Sequence, residues 1–416
     1  MAAPQDICFA PDPGALEVLD ALRAAGYRAY FVGGCVRDSL AGRTPADWDI
    51  CTAARPGQVL DLFGAQRCIP TGLQHGTVTV RAAGGLYEVT TFRVEGGYAD
   101  GRHPDHVDFV DDLQADLARR DFTINAMAWA PGEGLADPFG GQADLLVHRV
   151  VRAVGDPARR FAEDGLRILR LYRFGAREQL SLDPATARAA IDGRARLGCV
   201  SAERIWQELA KLLSAPRPAG WMPAEIMDVL LPGLGAAADP AGYAGCLGAV
   251  DALPPDPLAR LAALLCLRGP DFAGRSLAAL RCSNAEAKQV QTLVEYGALA
   301  PDPAVPPRRQ ARRLLARLDP DTLLRLLALR RAQTGDAAFD ELAAAARALL
   351  AENACCGLGQ LAVTGRDLLA LGVKPGPAVG RLLAAALEQV VEERLPNRRD
   401  ALLGWLQTHL NTQEEP

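Results

Sequence analysis

Apolar residues recur every three to four positions over 13–26, where Leu16, Leu19 and Leu22 share a face and Gly26 ends the run; this spacing predicts a helix. The period then shortens. Runs rich in β-branched and aromatic residues, Ala29–Val32, Asp49–Thr52, Thr77–Arg81 and Leu86–Phe92, predict strands, and Ala82-Ala83-Gly84-Gly85 between the last two reads as a hairpin turn. The first 150 residues therefore predict an α+β domain with a small antiparallel or mixed sheet. From about residue 157 alanine, leucine and arginine dominate and helical periodicity takes over, broken by Pro- or Gly-rich stretches near 215–223, 232–240, 253–257 and 300–307. No repeat of fixed period is present. Thr364–Arg381 reads as a helix, a Lys-Pro-Gly-Pro turn and a second helix, a connector in preference to a phosphate-binding helix start.

Composition narrows the class. At ~100–200 residues per domain, 416 residues make two to four domains. The 49% apolar and 23% charged fractions are those of a soluble globular protein. No apolar run approaches the ~18 residues of a membrane span, and MAAPQDICFA has no basic segment followed by an apolar one, so a cytoplasmic protein without a signal peptide is expected. The ten cysteines form no C-x-x-C pair and the five histidines show no ligand spacing, which argues against a zinc site or a disulfide frame. The absence of a His-Asp dipeptide argues against a phosphohydrolase of that type. The net charge of −5 does not advertise nucleic-acid binding, but residues 151–180 carry seven arginines against four acids, a local basic stripe.

Asp47 and Asp49 lie two apart on a predicted strand, so both carboxylates leave one face, where they repel unless a cation sits between them. Alone, Asp-x-Asp is a common solvated pair. Here the strand Ala29–Val32 runs into Gly33-Gly34 and a helix opened by Val36-Arg37-Asp38. Glycines admit a phosphate close to the backbone, a helix start favours an anion, and Arg37 can donate to a phosphate oxygen. Strand, Gly-Gly, short helix and acidic pair make a coherent triphosphate-plus-metal site. Glu88, on the strand LYEVTTFR amid apolar and β-branched neighbours, is the candidate third ligand or base, against the plainer reading of a salt bridge to Arg93.

Taken in order, FVGGCVRD (Phe31–Asp38), DWDI (Asp47–Ile50), TGLQHGTVTV (Thr71–Val80), EVTTFR (Glu88–Arg93), RRDFTINAMA (Arg119–Ala128), DPFGG (Asp137–Gly141), RFAEDGLRILRLYRF (Arg160–Phe174) and SAERIWQELAKLL (Ser201–Leu213) resemble the class II tRNA nucleotidyltransferases, the CCA-adding enzymes, which share a polymerase-β-like fold with bacterial poly(A) polymerases. The resemblance covers roughly residues 28–213 and is looser beyond. It implies a catalytic head over 1–152, a helical neck over 153–220 that recognises the base, a helical body over 221–350 and a tRNA-binding tail over 351–416. It also implies Mg2+ on Asp47 and Asp49, tRNA as partner, and CTP and ATP as substrates; it leaves the oligomeric state open.

Within that pattern Asp164 and Arg167, three apart on a predicted helix, are expected side by side. Asp164 can accept from an exocyclic amino group and Arg167 can donate to the ring nitrogen beside it. Cytosine and adenine both present that pair of groups, whereas uracil and guanine present a carbonyl and an N–H and would leave polar groups unpaired. The resemblance further assigns Arg170 and Arg173 to triphosphate and RNA, and Arg120, Asp121 and Asn125 to the ribose and its 2′-OH. DPFGG reads as a structural turn or hinge. A poly(A) polymerase would share nearly every motif, but TGLQHGTVTV stands where those enzymes usually carry an Arg-rich strand. A CC-only enzyme would lack part of the loop Val94–Ala118, which looks full length. A-only addition, a small-molecule nucleotidyltransferase and a non-catalytic RNA-binding protein are the remaining alternatives. The second has no need of the Arg-rich neck or helical tail, and the third has no need of Asp47, Asp49 and Glu88.

Overall fold

A computed structural model describes residues 9–83, 85–96 and 106–413. They fall into two compact units, Met1–Ala238 and Asp239–Pro416. In the first, the amphipathic run forms α1 (Pro13–Ala24), which Asp12 caps by accepting from the Gly14 and Ala15 N–H groups and which buries Val18, Leu19 and Leu22. Gly26, at φ +88°, turns the chain into β1 (Ala29–Val32). There follow α2 (Gly34–Leu40), β2 (Ile50–Thr52), α3 (Pro56–Phe63), β3 (Cys68–Gly72), β4 (Thr77–Ala82) and β5 (Gly85–Thr91). Next come β6 (Arg93–Gly96), β7 (His106–Phe109), α4 (Leu113–Ala118), β8 (Ala128–Ala130) and β9 (Gly134–Ala136).

The main sheet has seven strands in the order β3-β4-β5-β2-β1-β8-β9. β2 and β5 run parallel and the other neighbours antiparallel, so the sheet is mixed, as the alternating pattern predicts. The Ala82↔Gly85 pairing closes the expected two-residue hairpin turn, with Ala83 at φ +39°. β6 and β7 form a separate ribbon; of the loop Val94–Ala118, residues 97–105 lie outside the described residues, as do the N-terminal residues 1–8. One expectation needs correction. Regular pairing in β2 starts at Ile50, so Asp47 and Asp49 sit in the extended lead-in and not within the strand. The alternation nevertheless holds there: Trp48 and Ile50 are buried while Asp47 and Asp49 are exposed.

After the short α5 (Gly141–Ala143) the unit turns helical, with α6 (Pro157–Glu163), α7 (Leu166–Glu178), α8 (Pro184–Asp192), α9 (Ala202–Leu213) and α10 (Ala224–Leu230). Two residue pairs, β10 (Val150–Val151) and β11 (Ser181–Leu182), add a parallel contact too short to show in the periodicity. α7 packs against α9, and Leu169 and Tyr172 on the one and Leu209 on the other are buried. The DPFGG turn is structural: Asp137 accepts from the Gly141 and Gln142 N–H groups at 2.7 and 2.8 Å.

The second unit is all helix: α11 (Pro240–Ala252), α12 (Pro257–Leu265), α13 (Pro270–Ala279), α14 (Asn284–Glu295), α15 (Pro307–Leu315), α16 (Pro320–Thr334), α17 (Ala338–Ala351), α18 (Gly365–Ala370), α19 (Pro377–Val391) and α20 (Arg399–Gln413). The Lys-Pro-Gly-Pro turn connects α18 to α19, beside a core of Leu368, Leu382, Ala386, Leu402 and Leu406. The unit boundary after Ala238 falls inside the segment 221–350 expected as one body. No helix among the described residues is long and apolar enough to cross a membrane.

A Cβ added at Gly141 would stand 2.1 Å from the Thr123 carbonyl oxygen, an overlap with rigid backbone. Gly141→Ala should lower unfolding free energy by about 1–3 kcal/mol in urea denaturation, whereas Gly198→Ala, with nothing within 4 Å, should be close to neutral.

Candidate functional site

The acidic edge is set by an apolar anchor. Trp48 is 6% exposed and its ring meets Phe31 edge-on at 4.8 Å, fixing the lead-in of β2 with Asp47 and Asp49 turned outward. The Asp49 carbonyl accepts from the Val32 N–H at 3.0 Å, tying this edge to the strand that enters the glycine turn. The parallel register Ile50↔Val89 places Asp49 level with Glu88 on the neighbouring strand. The Asp49 carboxyl is consequently pushed up to about 6, first by crowding of protein around it, then by Glu88, with a smaller push from Asp47 and an opposing pull from Arg120.

Glu88 itself is exposed on the outward face of β5, so the expectation that it is buried among apolar residues does not hold; the strand alternation turns Tyr87 and Val89 inward instead. Nor do Asp47, Asp49 and Glu88 close into a cage. Among the described residues no three His, Cys, Asp or Glu side chains stand close enough to enclose a metal by themselves. The chemistry of the donors still fits a hard divalent cation. The like charges of Glu88 and Asp47 that push the Asp49 carboxyl up are relieved by a cation, and magnesium takes one or two carboxylates plus water and phosphate oxygens rather than a protein cage.

Gly33 adopts φ +77° as the cap of α2, a conformation open to glycine, and its N–H donates to the Met127 carbonyl at 3.2 Å. A Cβ there would come within 3.1 Å of an Arg120 terminal nitrogen, so that guanidinium lies against the turn. The Arg120 Nε is buried without a hydrogen-bond partner among the described residues, and the side chain is otherwise engaged by Asp116 at 3.5 Å. Arg120 therefore stands between the glycine turn and Asp49 with donor capacity to spare. A Cβ at Gly34 would meet an Arg37 terminal nitrogen at 3.9 Å, an ordinary contact distance.

Arg37 does not stand free for a phosphate. It is 3% exposed, donates to Asn125 Oδ1 at 2.7 Å and to Asp38 at 2.9 Å, and pairs with Glu178 at 3.3 Å. Its place at a helix start suggests a free guanidinium, but Asn125 and Glu178, distant in the chain, close over it. Asn125 passes the connection on, its amide donating to Asp121 Oδ1 at 3.0 Å, and Asp121 Oδ2 receives Arg170 at 2.8 and 2.5 Å. Asp121 and Asn125 are thus hydrogen-bonded to one another and to arginines, and Asp121 also lines the polar cavity described below.

Asp164 also departs from expectation. It lies at φ −146° in the break between α6 and α7, so it does not share a helix with Arg167. Its Oδ1 accepts from the Leu166 N–H at 3.0 Å, and its Oδ2 from Arg204 at 2.7 Å. Arg167 is held by Glu163 at 2.5 Å and by the Arg160 and Arg119 carbonyls at 3.1 and 3.0 Å. Even so, Asp164, Arg167, Arg170, Arg120 and Asp121 line one polar cavity of about 230 Å³, together with Arg119, Leu166 and Arg204. Arg173 is absent from this lining. It is buried, paired with Glu208 at 2.5 Å, and lies 3.8 Å over the Phe174 ring; burial holds its guanidinium down to about 10 despite Glu208.

The seven arginines of the basic stripe are all paired. Arg152 meets Asp144 and Asp183; Arg159, Arg160 and Arg167 converge on Glu163; Arg170 meets Asp121, Arg173 meets Glu208 and Arg177 meets Asp38. Five of these carboxylates come from outside residues 151–180, so a local charge count missed them. The sequence reading also missed Arg204, whose only signal was its place in SAERIWQEL, forty residues from the carboxylate it grips.

An acidic edge beside a glycine turn, on this mixed sheet, with an arginine leading into a polar cavity, defines a nucleotidyltransferase. Residues 29–152 match the poly(A) polymerase head domain, 179–236 the probable RNA- and SrmB-binding site of polymerase A, and 258–406 the putative tRNA nucleotidyltransferase domain 2. The CCA-adding enzyme of Lactiplantibacillus plantarum is 36% identical over 390 residues, 94% of each chain. That of Lacticaseibacillus paracasei is 38% identical over 396 residues, again 94% of each. The crystal structure of the Bacillus stearothermophilus CCA-adding enzyme in complex with CTP superposes with a TM-score of 0.81 at 32% identity, covering 97% of this chain and 100% of that one. The chain belongs to the CCA-adding enzymes. The Thermotoga maritima CCA-adding enzyme complexed with tRNA, at 19% identity and a TM-score of 0.63 over 95% of this chain and 94% of that one, shares the fold.

Asp121 supplies a pH test. Burial opposes its ionisation, but Arg170 and then the Asn125 amide more than reverse this and hold its carboxyl far below the usual carboxylate range. A depressed folded-state pKa contributes stability above the unfolded value of about 4, lost as pH falls through the folded value. Asp121→Asn should therefore destabilise the protein by about 3–5 kcal/mol near neutral pH, and the deficit should narrow below about pH 4; urea melts at both pH values measure it.

Proposed function

We propose that this chain adds cytidine, cytidine and adenosine to the 3′ end of cytoplasmic tRNA, taking CTP and ATP without a nucleic-acid template and using magnesium held by Asp47 and Asp49. One observation carries the reading. Arg120 joins the acidic edge to the polar cavity: it lies against Gly33, acts on Asp49 and lines the same cavity as Asp164 and Arg167. A nucleotide with its triphosphate at the glycine turn thus has its base directed toward Asp164 and Arg167. The Bacillus stearothermophilus enzyme, solved in complex with CTP, and the Thermotoga maritima enzyme, solved in complex with tRNA, support the choice of ligands.

Each residue then has a chemical task. Asp47 and Asp49 bind the cations, and Glu88, level with Asp49, adds negative charge that strengthens their hold or receives the proton of the RNA 3′-hydroxyl. The chemistry that magnesium supplies when bound is acidification of that hydroxyl and neutralisation of the leaving pyrophosphate. Gly33 and Gly34 let the triphosphate approach the backbone, and the Arg120 guanidinium, whose terminal nitrogen lies against Gly33, donates to it. Asp164 accepts from the exocyclic amine of cytosine or adenine while Arg167 donates to the adjacent ring nitrogen. Arg37, Asn125, Asp121, Arg170 and Arg173 hold these groups in place through the buried network.

Asp47→Ala and Asp49→Ala should each reduce nucleotide incorporation to background while far-ultraviolet circular dichroism and the melting temperature stay near those of the parent. Substantial turnover by either variant would sink the metal assignment. Incubation with tRNA ending before, within or after CC, and with each nucleoside triphosphate singly, should extend the first two with C only and the CC end with a single A. Runs of A would mark a poly(A) polymerase, and arrest after CC a partial enzyme.

A further inference from the structure

We infer that Arg204, on α9, is a positioning residue that sets base selectivity by fixing the orientation of the Asp164 carboxylate. This rests on the proposal that Asp164 and Arg167 read the base. Asp164 sits outside any helix, so no regular backbone geometry dictates where its side chain points. Its aim depends on its hydrogen bonds. The Leu166 N–H holds Oδ1 at 3.0 Å, and the Arg204 guanidinium takes Oδ2 at 2.7 Å with a second, longer approach to Oδ1 at 3.5 Å. Held at both oxygens, the carboxylate cannot spin about its terminal bond. Both side chains are largely but not fully covered, 24% exposed for Arg204 and 17% for Asp164, and both line the cavity, so Asp164 keeps acceptor capacity facing it.

The arrangement has a counterpart on the donor side. Arg167 is braced by Glu163 at 2.5 Å and by two backbone carbonyls, leaving part of its donor fork for a ligand. A fixed acceptor beside a fixed donor is what discrimination between cytosine and uracil demands. The wrong base is rejected only if the side chains cannot swing aside to relieve the mismatch. Arg204 does not itself reach the reacting atoms. Its contribution lies in removing rotational freedom from a side chain that does.

The test compares Arg204→Ala, Arg204→Lys, Asp164→Ala and the double variant in the full-length chain. Each is assayed for kcat and KM with CTP and with UTP on tRNA lacking its terminal residues, with melting temperature recorded. Arg204→Ala should lower the CTP-over-UTP preference in kcat/KM by about tenfold or more, the scale of a lost hydrogen bond to a charged group, chiefly through a raised KM for CTP. Arg204→Lys, which restores one charged contact, should recover part of it. The double variant should discriminate no worse than Asp164→Ala alone. If Asp164→Ala loses selectivity while a folded Arg204→Ala keeps it, or if the two losses add in the double variant, the inference is overturned. If Asp164→Ala itself keeps selectivity, the base-reading proposal fails. Should Arg204→Ala not fold, Arg204→Gln, which keeps the stem and a neutral donor, takes its place under the same criteria.

Discussion

The ion pair between the buried Asp121 and the part-exposed Arg170 is the contact on which the first unit's site depends. Asp121 comes from the turn that follows α4, Arg170 from the middle of α7, and neither carries its charge cheaply away from water unless the other is present. From this pair connections run both ways. Asn125 leads from Asp121 to Arg37 and so to the helix that begins at the glycine turn. Arg170 leads to Glu208 and Arg173, binding α7 to α9. The sheet that presents the carboxylates and the helices that shape the cavity are therefore fastened by directional bonds, with the buried side chains of α7 and α9 supplying the bulk of the burial.

Directional bonding carries a stringent condition: each member of the network must find its partners together. Phe174 shows how tightly the parts are fitted, since the guanidinium carbons of Arg37, Arg170 and Arg173 all lie within 5.3 Å of its ring centre. Three like charges gathered around one aromatic ring are tolerable because Asp38, Asp121, Glu178 and Glu208 stand around them. A substitution that removes Glu208 leaves the buried Arg173 without its ion-pair partner, so an acid outside the cavity is as necessary to it as the residues that line it.

How much of this could be read from the chain depends on the range of the interaction. The strands β1, β4 and β5, the hairpin turn at Ala83 and the shift to helix after residue 157 all follow from local periodicity and were legible to within a residue or two. Asp47, Asp49 and the glycine turn were legible because their chemistry is concentrated in short motifs. The partners of Arg37, Asp121, Asn125 and Arg173 were not, since they lie on other elements; an arginine at a helix start and an arginine in a buried ion pair look alike until Asn125 and Glu178 are brought to it. Asp164 was misplaced for a different reason. Helical spacing was extended through a point where Gly165 and the cap of α7 break it, and the carboxylate was drawn to Arg204 instead.

The indole of Trp48 gives the acidic edge a property that the cavity lacks. It is seated against Phe31 by apolar contact alone, and a slip of one residue would expose that ring and bury both flanking carboxylates. The spacing of the two aspartates is thus fixed by a force that salt does not screen, whereas the part-exposed arginine pairs around the cavity belong to the class of contacts that added electrolyte weakens first. Added salt should consequently loosen the arginine pairs that line the cavity before it disturbs the spacing of Asp47 and Asp49, so the cavity is the more sensitive of the two to the composition of the solution around it.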